Sequence, residues 1–149
     1  MRLLAGLLLC VACAAVGRDD APTRVAVDPG AAQGAVDAVV ARHPELARLT
    51  VHAIPAGGDA SEILACNLPD KIGQRSDPED LEALTTGRTI VLREGEHFDV
   101  TAPLRGSDGA AFGATGITLV LGAGATEADA RRVAGAIRAE LEAALRSQR

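Results

Sequence analysis

The 149-residue sequence predicts an α+β fold: a five-stranded antiparallel sheet with an N-terminal helix, a short central helix and a long C-terminal helix. Three observations carry this. Runs with two-residue alternation come as hairpins separated by Gly-, Asp- and Pro-rich turns, with no strand–helix–strand units. Two segments with helical apolar spacing flank them, and one well-punctuated short helix interrupts them. Hydrophobic residues make up 48% of the chain and charged residues 23%, which suits a single folded domain rather than a disordered chain.

In chain order, Asp28-Pro29-Gly30 reads as a helix start, with Asp28 as cap and Pro29 in the first turn. Val36, Val39 and Val40 then give the helix 31–42 its apolar stripe, and His43-Pro44 interrupts it. Leu49–Ile54 alternates as a strand, Pro55–Asp59 turns, and Ser61–Leu68 returns as its hairpin partner. In Ser76-Asp77-Pro78-Glu79-Asp80, Ser76 with Glu79 forms a capping box, or Asp77 caps with Pro78 first in the helix. Leu81 and Leu84 are expected to point inward from that helix, and Gly87 to stop it. Thr89–Arg93, His97–Leu104 and Ala111–Leu121 are three further strands, the second of edge character near Pro103. Gly113 and Gly116 in the last strand predict a bulge or a close backbone approach. Thr126 caps a final helix in which Val133, Ile137, Leu141 and Leu145 form one stripe, so the helices are expected on one face of the sheet.

The N-terminus carries an address. Met1-Arg2, an apolar run from Leu3 to Ala12, small residues 12–17 and an abrupt charge break at Arg18-Asp19-Asp20 have the layout of a signal peptide over 1–14. Ala12-Cys13-Ala14 and Ala15-Val16-Gly17 both offer small-x-small cleavage sites. Cys10-Val11-Ala12-Cys13 resembles a lipobox, which would place a lipid on Cys13 and hold the chain at a membrane. Residues 15–30 read as a flexible lead-in, and 31–147 as the domain. The expected location is the periplasm or the exterior, or a membrane face if Cys13 is lipidated.

The composition narrows the function classes. Two Phe and no Tyr or Trp leave no aromatic cage and little surface for stacking bases. A formal charge of −5, or −6 once Arg2 leaves with the leader, argues against a nucleic-acid partner. After cleavage before Ala15, Cys66 is the single cysteine, which excludes an intramolecular disulfide. Cys66 reads as a core thiol, or as a nucleophile or metal ligand if His52 approaches it across the first hairpin. The three histidines, His43, His52 and His97, show no metal spacing, and no H-E-x-x-H, G-x-S-x-G or C-x-x-C is present, so no cofactor is expected. Asp77, Glu79 and Asp80 are explained by a helix first turn without a bound cation. Arg93, His97, Asp99 and Thr101 around the later hairpin, with Asn67, Lys71 and Arg75 entering the short helix, are the candidate ligand-binding residues: they either line the mouth of a pocket for an anionic or hydroxylated ligand or form a solvated edge.

Over residues 31–146 the chain resembles PAS-like extracytoplasmic sensor domains of the single Cache type. The carriers are the element order, the stretch Lys71-Ile72-Gly73-Gln74-Arg75-Ser76-Asp77-Pro78-Glu79-Asp80-Leu81 with Thr86-Gly87-Arg88, and Ala102-Pro103-Leu104 with Ser107-Asp108-Gly109 and Phe112-Gly113-Ala114-Thr115-Gly116-Ile117. The resemblance implies a PAS-like sheet that holds a small molecule between sheet and short helix. That family's amino-acid sensors use Tyr, Trp and Arg around the ligand, and its members drive an attached output domain; this sequence has no Tyr or Trp, and no output domain is expected in it. The expected function is therefore an exported, non-enzymatic small-molecule-binding or sensor-like accessory module, acting on a small ligand or beside a membrane receptor. The alternatives are a structural or interaction protein of the cell envelope, homodimerising through its terminal helices, and a Cys66-dependent enzyme.

Overall fold

A computed structural model describes residues 27–147, so the expected leader and the expected lipidation of Cys13 fall outside the described residues. The order is α1 (Pro29–Val40), β1 (Leu46–Ala53), β2 (Glu62–Cys66), a 3-10 turn (Pro69–Lys71), α2 (Pro78–Thr86), β3 (Ile90–Glu94), β4 (His97–Arg105), β5 (Ala111–Val120) and α3 (Glu127–Ser147). The strands form one antiparallel sheet in the order β2-β1-β5-β4-β3. The predicted α+β class, sheet and three helices are all present.

Local chemistry sets the ends. Asp28 accepts a hydrogen bond from the Ala31 amide at 2.7 Å, and Pro29 opens α1, so the helix starts within the expected lead-in. Gly87 adopts φ 69° to end α2, a conformation that costs glycine nothing. Thr126 and Asp129 exchange side-chain and backbone bonds at the start of α3. β4 lies inside the sheet, yet β3 ends at the Ile90–Thr101 pair, so Pro103 sits beyond it where that side of β4 has no ladder.

Alternation divides the sheet into two unlike faces. Leu49, Val51, Val100, Ile117 and Leu119 point one way and pack under α1 and α3 with Ile137, Leu141 and Leu145. The residues between them, Arg48, Thr50, His52, Asp99, Thr101 and Gly116, point the other way. Here the expectation of helices on a single face is corrected: α2 lies on this second, polar face, where its Asp80 meets His52. The inward direction of α2 is corrected too. Leu81 is 47% exposed, and Asp80 and Ala83 are buried in place of Leu81 and Leu84. A face made of Thr, His and Asp gives a leucine stripe nothing to pack on.

A second polar feature ties α1 to α3. His43 Nδ1 lies 3.0 Å from Glu45 Oε1 and its Nε2 3.2 Å from Glu140 Oε1, while Arg42 bonds Glu140 Oε2 at 3.0 Å. Burial works to lower the His43 pKa, but its bonds to the two carboxylates outweigh it and raise it. With the folded pKa above the unfolded 6.5, this contribution is fully present below pH 6.5 and is lost as pH rises through the raised value. The variant His43→Gln should lose up to about 1 kcal/mol at pH 6 and much less at pH 9 by urea unfolding; an equal loss at both would remove the charge from the explanation.

Candidate functional site

Between the polar face of the sheet, the segment 71–75 and the first turn of α2 lies a cleft of about 230 Å³. Its deepest feature is a chain of hydroxyls and ionisable groups. Thr50 Oγ1 and His52 Nε2 are 2.8 Å apart, and His52 Nδ1 lies 3.1 Å from Asp80 Oδ2 and 3.0 Å from Ser76 Oγ. Ser76 Oγ in turn bonds Ser61 Oγ at 2.8 Å. Thr50 and His52 are both cleft-lining and nearly buried, at 2% and 4% exposure.

Each member is placed by a simple local rule. Thr50 and His52 are two apart on β1, so they share a face. Asp80 is the third residue of α2, where its Oδ2 accepts the Asp77 amide at 2.9 Å and is thereby held toward His52. Gly116 on β5 sits directly under Thr50: its amide donates to Thr50 Oγ1 at 2.9 Å, and a Cβ there would stand 2.8 Å from that oxygen. Gly113 passes so close to the His52 carbonyl that a Cβ would overlap it. The two glycines of the last strand thus mark close backbone approaches, as their positions predicted.

Burial dominates the electrostatics. It lowers His52 to about 4, with Asp77 opposing and Arg48 assisting. It raises Asp80 to about 6, against the pull of the Asp77 amide and with help from the Asp77 and Glu79 charges. At neutral pH, His52 is therefore a neutral imidazole beside an ionised carboxylate. The tautomer that satisfies every neighbour carries its proton on Nδ1, toward Asp80 and Ser76, and leaves Nε2 to accept from the Thr50 hydroxyl.

The candidate residues read from the sequence divide. Lys71, Arg75, Asp99 and Thr101 line the cleft. Asp99 is held there by Arg48 at 3.2 Å and by the Thr118 hydroxyl at 2.5 Å. His97 lies with Asp99 on an adjoining shallow depression. Asn67 instead braces the sheet, accepting from the Leu49 amide at 2.8 Å and donating to the Ala47 carbonyl. Arg93 stacks its guanidinium 5.1 Å from the Phe98 ring centre. Thr50 is not among the candidates, His52 enters the sequence reading only as a partner for Cys66, and Asp80 only as a helix first-turn residue; the Thr-x-His spacing on an alternating strand is the available signal for the first two.

Cys66 pairs with Thr50 across the hairpin and so shares its face, but both ring nitrogens of His52 meet Thr50, Ser76 and Asp80 instead of the sulfur. It is fully buried, its sulfur accepts from the Leu68 amide, and burial pushes its thiol pKa up. The reading of Cys66 as a nucleophile is thereby corrected, since the thiolate is the reactive form. Among the described residues no group of three or more His, Cys, Asp or Glu is arranged to hold a metal ion, and no helix is long and apolar enough to cross a membrane.

The chain matches no protein-family model and no curated protein. Among solved structures it is similar to a type II free methionine-R-sulfoxide reductase from Thermoplasma acidophilum, at 14% identity and a TM-score of 0.42, over 74% of this chain and 88% of that one. Where the expectation was a non-enzymatic binding, sensor-like or structural module, this similar structure is that of an enzyme. At that similarity no residue role, substrate or cofactor passes to this chain.

Proposed function

We propose that the chain is an exported enzyme that hydrolyses a small polar substrate by general-base catalysis in the His52 cleft. One observation carries the reading: the buried line Thr50–His52–Asp80 at the floor of a polar cleft, with Nε2 of a neutral imidazole aimed at a hydroxyl. The export half of the reading rests on the leader-like residues 1–17.

In this scheme a water in the cleft gives a proton to Thr50 as Thr50 passes its own to His52 Nε2. The resulting hydroxide adds to the substrate, and His52 returns the proton to the leaving group, so no net proton is consumed. Asp80, 3.1 Å from Nδ1, stabilises the imidazolium that forms in between. Lys71 and Arg75, on the same cleft wall, supply positive charge for the oxygen that becomes negative. The cleft is smaller than the roughly 300–1,000 Å³ of sites that take drug-sized ligands, so the substrate is small.

The test is turnover by the full exported chain of a panel of small polar esters, amides and phosphate esters. At least one should be hydrolysed, with a rate that climbs with pH and levels above about 6 as Asp80 ionises. The variants His52→Gln and Thr50→Val should each lower that rate by roughly 10²–10⁴-fold while far-UV circular dichroism stays native. No hydrolysis across the panel, or hydrolysis that survives in His52→Gln, would overturn the proposal.

A further inference from the structure

On the opposite face of the sheet, between α3 and β4, a second cavity of about 220 Å³ opens. It is separate from the His52 cleft and does not depend on how that cleft is read. Val100 and Ala102 of β4 and Ala134 and Gly135 of α3 give it an apolar floor of small side chains. Gly135 lies in mid-helix, where glycine is costly, and a Cβ built on it would meet no atom within 4 Å. The space beside it is therefore open rather than filled by a neighbour.

Two arginines seven apart on α3, Arg131 and Arg138, stand at the same cavity, and no acidic side chain lines it. Arg131 is anchored by donating to the Thr89 carbonyl at 2.8 Å. Arg138 is different: its Nε is buried and has no hydrogen-bond partner. The nearest carboxylate, Glu142, is 4.0 Å away, and its Oε1 already accepts the Arg105 amide at 2.9 Å. That Nε is closed to solvent, so an incoming anion would meet the partly exposed terminal Nη groups of the same guanidinium, which make no hydrogen bond among the described residues.

We infer that this cavity is a second binding site, for a short-chain monocarboxylate whose carboxylate meets Arg138 and whose alkyl tail lies along Gly135, Ala134 and Val100. A tail of only a few carbons is set by the volume, and the absence of an acidic lining residue disfavours an amine or a zwitterion.

Hexanoate, hexylamine and inorganic phosphate titrated into the full chain, followed by amide chemical shifts, test this. Hexanoate should shift residues 131–138 and 100–102 saturably, and hexylamine should not. Arg138→Met should weaken hexanoate by roughly ten-fold or more through the carboxylate, and Gly135→Leu should do the same by filling the tail space. Either variant suffices should the other fail to fold. The site is overturned if hexylamine shifts the same residues, if phosphate binds there as well as hexanoate does, if the shifts centre on the His52 cleft, or if the folded variants bind hexanoate like the parent.

Discussion

Replacing Asp80 by Asn should turn a stability curve that is nearly flat between pH 4 and 6.5 into one that falls by roughly 3 kcal/mol as the pH drops through that window. The two buried groups oppose each other. Asp80, raised from 3.8 to about 6, contributes stability that is fully present below 3.8 and lost as pH rises through about 6. His52, lowered from 6.5 to about 4, contributes stability that is present above 6.5 and lost as pH falls through the window toward about 4. Between these limits the pair holds one proton in both folded and unfolded chains, so the two slopes cancel. Asn keeps the size and removes the compensation, leaving the His52 slope alone. Urea unfolding of parent and variant at half-unit pH steps reads this directly. Parallel curves would mean that burial does not raise the Asp80 carboxyl.

Gly113→Ala should cost about 3 kcal/mol, at the upper end of what an added methyl costs in a packed interior. The new Cβ would overlap the backbone carbonyl of His52, which cannot swing aside as a side chain can. The strand pair β1–β5 must part at the residue that carries the site's imidazole, so the loss of stability should come with altered His52 ring shifts. Gly122→Ala is the control: nothing lies within 4 Å of its Cβ and its φ is not positive, so it should change stability by less than ~0.5 kcal/mol. Similar stabilities for the two variants would show that β1 and β5 are not in such close contact.

These two expectations differ in how far the sequence anticipates them. Gly113 and Gly116 are marked in the sequence, because a glycine inside an alternating strand has few other reasons to be there. The neighbours that demand them, the His52 carbonyl and Thr50 Oγ1, lie more than sixty residues earlier and are brought into place only by β1 pairing with β5. Asp80 shows the opposite case. Its place in a helix first turn fully accounts for it locally, through its bond to the Asp77 amide. The same oxygen that caps the helix also faces His52, and nothing in the local pattern distinguishes an acidic residue that caps from one that caps and pairs.

What the sequence determined by itself is whatever local periodicity and turn chemistry encode. That covers the element order, the ends of α1 and α2 at Asp28 and Gly87, the α3 stripe and the antiparallel α+β class. Only the tertiary structure decided which face of the sheet each helix covers. α2 and α1 both carry short apolar stripes, but the β1 face that alternates Arg48, Thr50 and His52 accepts a helix whose buried residues are Asp80 and Ala83, not its leucines. That choice makes the cleft. It follows from the cost of leaving a buried imidazole and a row of hydroxyls without polar partners, a cost that exists only once strands distant in sequence have been laid side by side.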